Sequence, residues 1–217
     1  LTSETIRTIQ RAMRIENDSG GKIGKLLAAA FGAADTAALN PSARFYVAAP
    51  AGPPHLEFRL AIRDVGWRLH ECLVWVKDTM VRGHSDYHLQ HEDILYGWKP
   101  GPGRAGRGNH AGTRWYGDHA QTSVLAVPRP TRSELHPTMK PPALVAICLS
   151  NSSAPHDVVH DAFLGSGSTM VAAEQTGRLC YGMEIDAKYV AVCLERLAGM
   201  GLAPQLVEPT PRRSARR

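Results

Sequence analysis

Short apolar runs alternate with amphipathic stretches along most of the chain. Residues 22–39, KIGKLLAAAFGAADTAAL, carry apolar side chains near i, i+3 and i+4 and predict a helix. ARFYVAAP (43–50) is a short apolar run closed by a Pro-Ala-Gly-Pro-Pro turn, which predicts a buried strand. PHLEFRLAIRDVG (54–66) reads as a helix ending at Gly66, and WRLHECLVWVKD (67–78) and HEDILYGWKP (91–100) read as strands. Further on, a proline-bounded turn leads into a helix near Pro141. HDVVHDAF (156–163) is then a strand, STMVAAEQTG (168–177) a helix closed by Gly177, and LCYGMEID (179–186) a strand ending in acids. AKYVAVCLERLAGMG (187–201) is an amphipathic helix. Helices alternating with buried strands predict an α/β protein with an open, wound sheet.

One stretch breaks the pattern. GPGRAGRGNHAGTRWYGDHAQTS (101–123) is rich in Gly, Arg and His, with almost no apolar residues before Trp115. It has too little to bury and is expected to be an exposed excursion. Its Arg104, Arg107 and Arg114, followed by the aromatic pair Trp115 and Tyr116, are residue types that contact nucleic acid, although a solvated loop has the same composition.

Charge adds little to that picture. The formal net charge is +5, but Arg212, Arg213, Arg216 and Arg217 cluster in the last residues, and without them it falls to +1. The body is close to neutral, and residues 202–217 read as a basic tail able to touch nucleic acid non-specifically. No apolar run approaches the roughly 20 residues of a membrane span, so no membrane is expected as a partner. The N-terminal residues also lack the apolar centre of a signal peptide. Cys72, Cys148, Cys180 and Cys193 are scattered without a C-x-x-C pair and read as reduced, buried thiols of a cytoplasmic protein. His84, His88 and His91 have a spacing that could ligate a metal, but solvated histidines are the commoner outcome, and no metal is expected.

The strongest chemical signal is DAFLGSGSTMVAAEQTGRLCYGMEID (161–186). A phosphate loop of the G-x-x-x-x-G-K-[ST] type needs a lysine that does not follow Gly167. A dinucleotide loop needs a third glycine where Met170 stands. There remains a strand, a Gly165-Ser-Gly167 turn, a helix, and a second strand bearing Glu184, the place where an acid accepts hydrogen bonds from ribose hydroxyls in wound α/β proteins.

These residues carry a family resemblance. DAFLGSGST and YGMEIDAKYVAVCLERL resemble the S-adenosylmethionine-binding motifs I and II of amino-methylating DNA methyltransferases, and HPTMKP just before them resembles motif X. That order resembles the β-class enzymes, which modify adenine N6 or cytosine N4. The likeness extends from about RIENDSGG through LVWVKD, GHSDYHLQHEDILYGWKPG and RWYGD to about residue 201. It implies a Rossmann-like methyltransferase domain over residues 1–201, with a target-recognition-like region over 101–135 that would place Arg104, Arg107 and Arg114 on DNA. It implies S-adenosylmethionine as cofactor, with Asp161, Phe163, Gly165 and Gly167 forming the loop. Ser166, Ser168 and Thr169 would meet the methionine carboxylate, Glu184 would hold the ribose, and Thr138 and Lys140 would reach the methionine end. The family usually has proline where Ala162 stands, which predicts weaker preorganisation beside Asp161.

The family's catalytic (D/N/S)-P-P-(Y/F/W) loop has no match in the 217 residues. AGPPH (51–55) lacks both the acid or amide and the aromatic. No residue is therefore assigned a catalytic role, and the loop is expected before Leu1 or on a second polypeptide, with its strand missing from the centre of the sheet. The resemblance implies a site-specific DNA methyltransferase represented by its cofactor-binding part. The alternatives are a catalytically inactive cofactor- or DNA-binding remnant, or a methyltransferase acting on RNA or a small molecule.

Overall fold

A computed structural model describes residues 39–40, 42–82, 84, 86–100, 115–130 and 139–206. The expected helix over 22–39 lies almost wholly outside the described residues. In chain order the elements are β1 (Arg44–Ala49), α1 (His55–Asp64), β2 (Arg68–Val81), β3 (Leu89–Trp98), β4 (Val124–Ala126), α2 (Pro142–Ser152), β5 (Val158–Asp161), α3 (Ser168–Gln175), β6 (Leu179–Gly182) and α4 (Ala187–Gly199). None of these helices is long and apolar enough to cross a membrane.

The strands form two sheets. Four pair in the order β1-β3-β2-β4, and β5 pairs with β6. In the larger sheet β3 is antiparallel to both neighbours, with Ala49 opposite Asp93 and Val74 opposite the same residue from the other side. Only β4 joins in parallel, placing Leu125 beside Trp75. β5 and β6 are parallel, with Asp161 beside Gly182. Among the described residues, β1 and β5 each have a strand on one flank only.

Because side chains alternate across a strand, the larger sheet has two distinct apolar faces. On one, Phe45, Ala49 and Leu95 pack against Ala61 and Ile62 of α1 and against Trp67. On the other, Trp75, Ile94 and Leu125 pack against Leu144 and Cys148 of α2. The turn after α1 needs the left-handed backbone that glycine supplies: Gly66 has φ 75°, and Trp67 N then bonds back to Ile62 O. α2 is apolar along PALVAICL and packs against α3 as well as the sheet. It is the layer the two sheets share.

Two expectations are corrected, and one strand carries no signal in the sequence. β2 runs past Asp78 to Val81, because Asp78 faces outward and accepts a bond from Arg129 N (2.8 Å) instead of starting a turn. β4 has only three residues, too few to leave a periodic signal. β6 stops at Gly182, two residues before Glu184: Met183 N bonds Asp161 O and Leu164 N bonds Met183 O, so the chain leaves the strand to close onto the glycine loop.

Leu144 is 3% exposed and joins α2 to the sheet. Leu144→Ala should lower unfolding stability by about 2–4 kcal/mol through the lost burial and the cavity left behind, read from denaturant midpoints. A loss below 1 kcal/mol would mean that α2 is not a shared layer.

Candidate cofactor-binding site

The loop between β5 and α3 is built from its own side chains. Asp161 ends β5, and its Oδ1 accepts from Phe163 N (2.9 Å) while Oδ2 accepts from Thr169 Oγ1 (2.6 Å). One carboxylate thus clamps both ends of the turn, despite Ala162 in the place where the family carries proline. Gly167 has φ 79°, and a Cβ there would come within 2.8 Å of Cys193 Sγ. Glycine is required twice over, by the backbone angle and by the close approach of α4. Cys193 Sγ donates to Gly165 O (3.2 Å), and Arg196 Nη1 donates to Ser166 O, so α4 braces the loop from behind.

Glu184 closes the loop from the β6 side. Its Oε2 accepts from Gly165 N (2.7 Å), and its Oε1 accepts from Ile185 N (2.8 Å) and Asp186 N (2.9 Å). Three backbone N–H groups therefore fix the carboxylate. A carboxylate offers about four acceptor directions, which leaves one on Oε2 for an incoming hydroxyl. Asp186 in turn caps α4 by accepting from Lys188 N.

The hydroxyls expected to meet a ligand have protein partners. Ser168 Oγ donates to Lys140 O (2.6 Å), Thr169 Oγ1 is held by Asp161, and Ser166 and Ser168 are buried. The loop offers a ligand chiefly the first-turn N–H groups of α3. Phe163 is exposed beside them.

Lys140 is engaged with the larger sheet. Its Nζ reaches Glu92 Oε2 (2.6 Å), and Lys77 Nζ reaches Glu92 Oε1 (2.7 Å). Both ammoniums lie near the Trp75 ring, at 5.8 and 5.2 Å from its centroid. Sequence reasoning missed Lys77, Glu92 and Trp75 as a unit. The available signal was a lysine following the apolar LVWV run, because a charge in a buried strand needs a partner. Lys77 is only 6% exposed.

Thr138, Arg104, Arg107 and Arg114 lie outside the described residues. Their neighbours Trp115 and Tyr116 are described: Tyr116 N donates to Asn151 O (2.9 Å), and Asn151 Nδ2 donates to Gln121 Oε1 (3.1 Å). Residues 115–121 thus rest on the C-terminal end of α2. His84 and His88 are exposed and form no ligand group with His91. Among the described residues the side chains that converge in that way are His55, Cys72 and Asp93. All four cysteines are free. Burial pushes the Cys148 thiol up to about 12; burial and then Asp161 do the same for Cys180.

A strand, a clamped glycine loop, a helix N-terminus and an acid closing the loop from the next strand define a wound α/β protein of the S-adenosylmethionine-dependent methyltransferase type. The chain belongs to the DNA methylase family of N6/N4 type, whose model matches residues 31–195. It is 29% identical over 150 residues to the Type II methyltransferase M.XycI of Xanthomonas campestris pv. cyanopsidis, and 27% identical over 150 residues to M.Cfr9I of Citrobacter freundii. Each match covers 64% of this chain and 47% of the relative. The chain thus spans about half the length of these curated relatives. Among solved structures it resembles M1.HpyAVI in complex with SAM, with a TM-score of 0.68 and 21% identity over 90% of this chain and 96% of that one. It also resembles the cytosine-N4-specific PvuII DNA methyltransferase, with a TM-score of 0.64 and 18% identity over 83% of this chain and 74% of that one.

The lysine pair sets a pH dependence. Burial alone pushes the Glu92 carboxyl up, but Lys140 and Lys77 outweigh it and hold the group below its ordinary 4.5. A carboxyl depressed in the folded state contributes stability that is full above its unfolded value and is lost as pH falls through its folded value. Glu92→Gln should cost on the order of 2–4 kcal/mol near neutrality, since Lys77 loses its carboxylate. The gap in melting temperature between the two proteins should narrow as pH falls below about 4.5. A gap independent of pH would rule out the ion pairs as its source.

Proposed function

We propose that this chain is the cofactor-binding part of a β-class DNA methyltransferase acting on adenine N6 or cytosine N4, with S-adenosylmethionine held by the 161–169 loop and Glu184. The observation that carries this reading is the pair of carboxylates, Asp161 and Glu184, that fix the loop from both sides while α3 presents its N-terminus to the same space. The cofactor would supply the methyl group. Its carboxylate would meet the first-turn N–H groups of α3, and a ribose hydroxyl would donate to the open direction on Glu184 Oε2. Glu184→Ala should weaken S-adenosylmethionine binding by about 1–3 kcal/mol in a calorimetric titration, with melting of the ligand-free proteins as the control for loop damage. Unchanged affinity would remove Glu184 from the ribose role.

DNA is the substrate that family membership supports, and the 101–114 segment is the proposed contact because its arginines are the cluster outside the tail. Arg104, Arg107 and Arg114 changed together to alanine should weaken DNA binding and flatten its salt dependence by about 0.9 in the log–log slope for each lost phosphate contact. If deleting residues 211–217 alone abolished binding, the tail would be the sole electrostatic contact.

Methyl transfer requires a further segment, either contiguous with this chain or on a second polypeptide. The supporting observations are the lack of a D-P-P-Y-type loop in the sequence and, among the described residues, the one-sided pairing of β1 and β5. A strand inserted between them would continue both sheets and deliver that loop beside the cofactor. Its polar residue would accept from the target amino group, and its aromatic would stack on a flipped base. Labelled methyl transfer to mixed-sequence DNA should be absent with the 217 residues alone and appear when a segment carrying the family's upstream strands is added. Clear methylation by the isolated chain would overturn this division of labour.

A further inference from the structure

On the face of the larger sheet covered by α1, three side chains from three elements converge: His55, the first residue of α1, Cys72 of β2, and Asp93 of β3. One ligand atom from each lies within 4.8 Å of the other two. His55 Nε2 is 3.7 Å from Asp93 Oδ2, beyond hydrogen-bonding distance, and it is buried without a hydrogen-bond partner. Both side chains are mostly buried, at 17% and 16% exposure. The imidazole nitrogen faces the carboxylate at the separation of two ligands on one ion, and the thiol sulfur lies within 4.8 Å of both. Tetrahedral zinc, with bonds of about 2.0–2.3 Å, sets its ligand atoms roughly 3.3–3.8 Å apart.

We propose that His55, Cys72 and Asp93 form a binding site for one divalent transition-metal ion of the zinc type, with a fourth position left to water or a partner group. Sulfur, imidazole nitrogen and carboxylate oxygen together suit zinc and cobalt rather than calcium or magnesium, which take all-oxygen shells. Burial and then Asp93 push the Cys72 thiol above its ordinary value, against the opposing pull of Arg59 on α1, so an ion bound there would displace the thiol proton. The ion would be a staple. Asp93 is the register partner of Ala49, the last residue of β1, and His55 follows the 50–54 turn directly. A metal bridging them would fasten that turn, and the end of β1, to the centre of the sheet. None of the three residues belongs to the cofactor loop.

Cobalt(II) is the probe, added to the reduced full chain. The expected result is 1:1 binding with the visible bands of tetrahedral cobalt and a near-ultraviolet thiolate charge-transfer band. Cys72→Ser should abolish the charge-transfer band, and His55→Gln and Asp93→Asn should each weaken binding at least about tenfold. Cys180→Ser should leave spectrum and affinity unchanged. Zinc should raise the melting temperature of the wild type and of Cys180→Ser but not of Cys72→Ser, with circular dichroism of each metal-free variant confirming that it is folded. Octahedral cobalt without a charge-transfer band, a band retained in Cys72→Ser, or a zinc shift equal in wild type and Cys72→Ser would each overturn the site.

Discussion

Lys140 joins the two sheets with its two ends. Its carbonyl accepts from Ser168 at the start of α3, so its backbone is fixed to the glycine loop. Its ammonium reaches Glu92 on β3, so its side chain is fixed to the larger sheet. Between these bonds runs the start of α2, whose Leu144 and Cys148 complete the apolar layer over Trp75 and Ile94. No strand pairing links β5 to β1 among the described residues. Among the described residues, α2, the Tyr46–Ser152 hydroxyl contact of 2.6 Å and this lysine tie the loop to the larger sheet. Because Glu92 is shared with the buried Lys77, the ion pair is held on a rigid strand instead of swinging in solvent, where such pairs contribute little.

The same economy explains the glycine loop. Its serine and threonine hydroxyls look from sequence like ligand groups, because hydroxyls at a helix start so often bind anions. In the fold they are needed for something prior. A turn that carries two glycines at φ 54° and 79° has little stiffness of its own, and Asp161, Thr169, Ser168 and Glu184 supply the bonds that hold it. Binding groups that are already in place avoid an ordering cost when a ligand arrives. The family's proline beside the acid would stiffen the same turn; with Ala162, hydrogen bonds carry that task.

What could be read from sequence divides along a physical line. The elements β1, α1, α2, α3 and α4 were legible because each places a strong periodic or apolar signal between breakers such as Gly66, Pro141 and Gly177. The loop residues Asp161 to Thr169 were legible because glycine spacing is a local property. Partnerships across the sheet were not. Glu92 meets Lys77 and Lys140, and His55 meets Cys72 and Asp93, only because β3 is antiparallel to its neighbours in one particular register, and register is set by the assembled fold. Glu184 was found as a residue but misread in its setting. An acid two residues beyond a strand end looks in sequence like the strand's last residue, and only the turn onto Leu164 separates them.

That register also decides what lies on each side of the sheet. Adjacent residues of β3 point to opposite faces, so Glu92 turns toward α2 and the lysines while Asp93 turns toward α1 and His55. Two neighbouring acids thereby serve two separate clusters, one tying the sheet to the cofactor side and the other lying beneath the turn that follows β1. A strand filling the flank of β1 that no described strand covers would meet a neighbour already fixed at both levels: through Tyr46 to α2 on one face, and through the Ala49–Asp93 pairing to the His55 cluster on the other. An edge held in this way presents its backbone N–H and C=O groups in a fixed line, which is what templated pairing with an added strand requires. The apolar residues Val158, Leu179 and Tyr181 on the small sheet are exposed in the same structure. Parallel strands are normally covered on both faces, so the β5–β6 pair also has the character of one part of a larger layered sheet.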